Sequence, residues 1–132
     1  MKRTIHYNLL AMLGVASLLT ACDERVIARS ETQYFTVTDF ANTIVSTLSP
    51  VDQRPNKLTI QIRGSLTKPV IMTVLKGGNP AAQKIYRRDS IAAGSSVSLS
   101  INEDYYENDT LQLRLTGSKS TTGSLTVEWS RN

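Results

Sequence analysis

The stretch Thr110–Gly117, TLQLRLTG, sets Leu111, Leu113 and Leu115 on every second position, with Gln112, Arg114 and Thr116 between them. A period of two puts one set of side chains on one face of an extended chain and the other set on the opposite face, as in a strand with one buried side and one wet side. A helix needs apolar residues at spacings of three and four, which this stretch lacks.

The same alternation recurs to either side. KLTIQIRG places Leu58, Ile60 and Ile62 on one face, and SVSLSIN does so with Val97, Leu99 and Ile101. GSLTVEWS aligns Leu125, Val127 and Trp129, so the single tryptophan is expected in the core. KPVIMTVLK carries Val70, Met72 and Val74 on one face, with Ile71 and Leu75 on the other. TVT and TIVSTL are rich in β-branched residues, although TDFANTIVSTL also fits one amphipathic helix. Tyr34, Phe35 and Phe40 are expected to seed the core at its beginning. The segments GGNP, AAGSS, YENDT and GSKSTTG separate the strands with residues that accept tight turns. Seven to eight strands within residues 34–132 predict an all-β antiparallel sandwich, immunoglobulin-like, transthyretin-like or jelly-roll in arrangement.

The beginning of the chain has a different character. Lys2 and Arg3 precede an apolar run, Leu9–Leu19, that matches the core of an export signal. It falls short of the ~20 apolar residues needed to span a bilayer. Leu19-Thr20-Ala21-Cys22 resembles the lipobox of bacterial lipoproteins. The resemblance implies removal of residues 1–21, a covalent lipid such as palmitate on the Cys22 thiol, and attachment to a membrane. In enterobacterial lipoproteins an Asp after the lipidated cysteine resembles an inner-membrane retention signal, and Asp23 followed by Glu24 fits that pattern. The location implied is the periplasmic face of the inner membrane. The polar segment of residues 22–33 reads as a tether with a reach of roughly 35 Å when extended. A short first strand or helical turn around Val26 and Ile27 is the alternative. SPVDQRPNKLTIQIRGSL, Ser49–Leu66, is also similar to a stretch of secretion-system lipoproteins with a transthyretin-like domain.

Processing at Cys22 changes what chemistry is open to the domain. The only histidine, His6, lies in the removed segment, and the only cysteine carries lipid. Ser-His-Asp and Cys-His arrangements are thereby excluded, as are the usual zinc sites. With no catalytic motif, the chain reads as a non-enzyme without cofactor beyond the lipid on Cys22, and metal binding is not expected. Removing Lys2 and Arg3 lowers the formal charge from +4 to +2. The remaining cations are scattered, with Arg87-Arg88 the one adjacent pair, which gives no nucleic-acid footprint and reads as a solvated strand end.

The densest polar cluster is NEDYYENDT, Asn102–Thr110. Here Asp104, Glu107 and Asp109, with Glu103, surround Tyr105 and Tyr106. Such a loop suits contact with a protein partner or a sugar, through aromatic anchors and hydrogen-bonding acids. The plainer reading is a strand crossing with solvated acids and one buried tyrosine. Two functions follow: an envelope protein-interaction module with an accessory, immunity or exclusion role, or a ligand- or carbohydrate-binding module using the Tyr105/Tyr106 loop.

Overall fold

The computed structural model describes residues 31–51 and 54–132. Cys22, Asp23, Glu24 and the segment expected to be an export signal, residues 1–21, lie outside the described residues. Eight strands follow in order: β1 (Glu31–Val37), β2 (Ile44–Leu48), β3 (Lys57–Leu66), β4 (Val70–Lys76), β5 (Lys84–Ile91), β6 (Gly94–Asp104), β7 (Leu111–Thr116) and β8 (Gly123–Arg131). A single turn of 3-10 helix, Pro80–Ala82, sits before β5. Asn79 caps it by accepting from the Ala81 N–H at 3.0 Å.

The strands form two four-stranded sheets, β1-β8-β3-β6 and β2-β7-β4-β5, antiparallel throughout. In the immunoglobulin arrangement the first two strands are neighbours in one sheet. Here β1 pairs with β8 and β2 with β7, in opposite sheets. That order is the eight-stranded jelly roll, and it replaces the immunoglobulin-like and transthyretin-like arrangements.

The alternation in the sequence maps onto burial. Leu58, Ile60 and Ile62 of β3, Leu111, Leu113 and Leu115 of β7, and Leu125, Val127 and Trp129 of β8 are all fully buried. Each such side chain stabilises the fold by roughly 1.5–3 kcal/mol relative to exposure. Trp129 also ties the two sheets together, because its Nε1–H donates to Ser46 Oγ on β2 at 2.9 Å.

Four local expectations change. The sandwich begins at Glu31 rather than residue 34, so Glu31, Thr32 and Gln33 are paired strand and not tether. Within TDFANTIVSTL the β-branched run forms β2, and Phe40 is buried in the connection before it. Tyr34 points away from the core at 70% exposure, since its strand neighbours Gln33 and Phe35 take the inward parity. Arg87-Arg88 is no strand end, because it lies within β5.

Two glycines let β3 and β8 close on each other. A Cβ on Gly64 (φ 154°) would lie 1.9 Å from the Ser124 carbonyl oxygen. A Cβ on Gly123 (φ 128°) would lie 2.0 Å from the Ser65 oxygen. Only glycine fits at such approaches.

Candidate functional site

Three connections gather at one end of the sandwich: the segment after β2, the β4–β5 turn and the β6–β7 loop of residues 105–110. They are bound to one another. Asn108 brackets Val51, accepting from its N–H at 2.9 Å and donating to its carbonyl at 2.6 Å. The Tyr105 N–H donates to the Asn56 carbonyl at 3.1 Å, and the Gly77 N–H to the Thr110 carbonyl at 2.9 Å.

The five loop residues singled out by sequence do not converge. Tyr105 continues the inward parity of Val97, Leu99 and Ile101, and it is buried at 3% exposure. Its ring meets Tyr86 edge-on, with centroids 5.1 Å apart and an interplanar angle of 85°. Tyr106, one residue on, stands outward at 58% exposure. Asp104 lies exposed at the end of β6, opposite Lys57 in register. Glu107 is taken up by Lys76, whose Nζ lies 2.7 Å from Oε2. That hydrogen bond and charge hold the Glu107 carboxyl below the usual glutamate range. Asp109 contributes its backbone carbonyl to Arg131. The acids therefore enclose no chamber, and among the described residues no group of three or more His, Cys, Asp or Glu is placed to hold a metal.

Beneath the loop lies a set of polar contacts that the sequence pattern does not announce. A bulge where β5 meets β4 pairs Val74 with Arg87 and Leu75 with Ile85, leaving Tyr86 without a partner. The extra residue breaks the alternation, so Tyr86 and Arg87 both meet β6. Tyr86 meets Tyr105. Arg87 donates through Nη1 to Glu103 at 2.8 Å and through Nε to Asp89 at 2.6 Å, joining the edges of the two sheets. The Asp89 hydrogen bond leads the causes that raise the Arg87 pKa. Burial is the main cause that raises Tyr86, followed by the hydrogen bond and charge of Glu103.

Arg131 is fully buried. Its guanidinium donates to the backbone carbonyls of Ser49 and Asp109, so it pins the segment after β2 to the β6–β7 loop from beneath. Burial pulls its pKa down. The Tyr105 hydroxyl is buried without a hydrogen-bond partner among the described residues. Burial first, then the charges of Glu107 and Asp109, push its pKa up to about 12.

On this braced platform two large apolar side chains are left uncovered. Ile85, 62% exposed, and Tyr106, 58% exposed, are the chain neighbours of the edge-on pair Tyr86 and Tyr105. Of these, Tyr106 is visible in the sequence. Ile85 is not, because KIYRRDSI shows no alternation; its only signal is an apolar pair, Ile85-Tyr86, shortly after the GGNP turn.

No protein-family model and no curated protein matches the chain. Solved structures do. The crystal structure of PirA superposes with a TM-score of 0.52 at 9% identity, over 74% of this chain and 92% of that one. The Yersinia pseudotuberculosis-derived mitogen follows at 0.47 and 10% identity, over 80% of this chain and 88% of that one. A CBM4 structure gives 0.42 at 14% identity, over 73% and 78% respectively. At 9% identity the likeness to PirA establishes the β-sandwich fold and nothing finer.

Proposed function

We propose that the protein is a small lipid-anchored envelope lipoprotein whose sandwich serves as a non-enzymatic protein-interaction module. Cys22 carries the lipid, and Asp23 and Glu24 favour the periplasmic face of the inner membrane. The observation that carries the docking role is the exposure of two large apolar side chains, Ile85 and Tyr106, each next in the chain to a ring of the edge-on Tyr86–Tyr105 pair. Aromatic and aliphatic anchors on a rigid base lose little conformational entropy on binding, which favours contact with another protein. The acids of the loop support the same reading, since Glu107 is occupied by Lys76 and Glu103 by Arg87. A membrane tether raises the effective concentration toward partners at the same surface, so modest affinity suffices.

Photo-cross-linking from position 106, with position 34, exposed on the far edge strand β1, as the control, tests this. Position 106 is expected to give one discrete adduct with a membrane-associated protein, lost in Ile85→Ser, while position 34 gives none. Equal labelling from both positions, or no adduct at 106, overturns the docking site. Loss of acyl labelling and of membrane retention in Cys22→Ala is the companion result expected for the anchor.

A further inference from the structure

Four strands form the lateral edges of the two sheets: β1 and β6 of one, β2 and β5 of the other. An edge strand presents unpaired backbone N–H and C=O groups, and proteins blunt such edges with charge, bulges, proline or shortness. β2 is only 5 residues long, and β1 is 7. β5 carries a bulge together with Lys84, Arg87, Arg88 and Asp89. β6 differs from all of them. It runs for 11 residues, GSSVSLSINED, with no proline, no lysine and no charge before Glu103. Its one irregularity falls near its start, where Gly64 pairs with Val97 but Leu66 with Gly94. From Val97 to Asp104 the pairing with β3 is regular, and no strand lies beyond it among the described residues.

The residues along this edge are matched about their own midpoint. Val97-Ser98-Leu99-Ser100-Ile101 reads apolar, hydroxyl, apolar, hydroxyl, apolar in either direction. Val97, Leu99 and Ile101 face the core side, and Ser98 and Ser100 are exposed on the outer face. Beside the strand an open groove of about 320 Å³ is lined by Ile91, Val97 and Leu99 with small residues around them.

We propose that β6 pairs antiparallel with β6 of a second copy, with Leu99 on the two-fold axis. Val97 of one copy then meets Ile101 of the other, and Ser98 meets Ser100, so apolar side chains fall on the apolar side and hydroxyls on the wet side. An isologous contact demands this self-complementarity. Charge fits as well: the acidic end, Glu103-Asp104, lies opposite the uncharged start, Gly94-Ser95, of the second copy. A parallel pairing would set the acids against one another. The two sheets containing β6 become one sheet of eight strands, and the half-buried Leu99 side chain of the second copy lies against the groove. This contact goes beyond the partner-docking end and uses neither Ile85 nor Tyr106.

Sedimentation of the full chain in detergent, over a range of protein concentrations, tests it. A concentration-dependent dimer is expected. Ser98→Lys with Ser100→Lys sets lysines opposite one another twice and should weaken the dimer roughly tenfold. Ser98→Lys with Ser100→Glu instead sets opposite charges together in the same register and should restore it. Both positions are exposed, so circular dichroism should be unchanged in each. Leu99→Cys should give an oxidised dimer that the parent chain does not form. A monomer at every concentration, or a dimer indifferent to the paired lysines and uncross-linked by Leu99→Cys, overturns the proposal.

Discussion

At one end of the sandwich, Arg131 reaches across the chain from β8 to the carbonyls of Ser49 and Asp109, 82 and 22 residues away. At the other end, Thr67 and Thr122 exchange short contacts across the β3–β4 and β7–β8 turns. The Thr122 N–H donates to Thr67 Oγ1 at 2.9 Å, the two hydroxyls lie 3.0 Å apart, and the Thr67 N–H donates to the Thr122 carbonyl at 2.9 Å. Ser118 and Thr121 add a turn closed on itself, the Ser118 N–H donating to Thr121 Oγ1 at 3.0 Å. One end adds to its loop-to-loop hydrogen bonds a single buried cation that serves two loops. The other spreads the same work over several hydroxyls, most of them beside water that can replace a lost partner. The loop-rich end, where Tyr106 and Ile85 are displayed, is therefore the more sensitive to one substitution.

The largest expected effect follows directly. Arg131→Ala leaves the Ser49 and Asp109 carbonyls without their buried donor and opens a cavity where the stem packed. Together these should cost about 3–5 kcal/mol, measured as a fall in the urea midpoint at unchanged slope. A cost below about 1 kcal/mol would place Arg131 on a par with an exposed turn contact and break the contrast between the ends.

Thr67→Val is the matching change at the hydroxyl end. It keeps the shape and the backbone bond and removes the Oγ1 bonds to Thr122, whose groups are exposed and can turn to water. The expected loss is about 0.5–1.5 kcal/mol by the same urea measurement. A loss as large as that of Arg131→Ala would show that this end, too, hangs on one residue.

The two ends also differ in how far the sequence exposes them. GSKSTTG announces its turn through glycine and hydroxyl residues, and the structure closes it with those groups. Arg131 follows Trp129 by two positions and so shares the inward parity of Leu125, Val127 and Trp129. The sequence does not show what its guanidinium meets, because the acceptors are backbone carbonyls and carry no residue identity. The strands with alternation, β3, β6, β7 and β8, are legible for a simple reason: one face of each is core. β5 is not, since as an edge strand with a bulge it mixes Arg87 and Tyr86 on the side that meets β6. The acidic loop is legible only as alternatives, a contact cluster or a strand crossing with one buried tyrosine. Its spacing in sequence is dense, but Tyr105 turns in, Tyr106 turns out, and Glu107 turns to Lys76.

The smallest effect concerns Tyr105, which contributes to the loop-rich end through its ring and gains nothing from its hydroxyl. That hydroxyl is buried and unpartnered, so Tyr105→Phe removes a polar group that makes no hydrogen bond. The edge-on contact with Tyr86 needs only the ring. Stability at neutral pH should change by less than about 1 kcal/mol, with a small gain as the favoured sign. The difference between the two proteins should then depend on pH in one direction. The Tyr105 phenol titrates at about 12 in the folded chain against 10.0 ordinarily, so the unfolded chain loses its proton first. As pH rises from 10.0 toward 12, the native protein is destabilised relative to the phenylalanine variant, and below 10.0 the two run in parallel. Urea midpoints of both proteins across alkaline pH check this, because the tyrosines remote from Tyr105 contribute equally to each and cancel in the difference. Curves that stay parallel through that window would mean that the Tyr105 hydroxyl is in contact with solvent, and that the loop-rich end is less tightly closed than its hydrogen bonds imply.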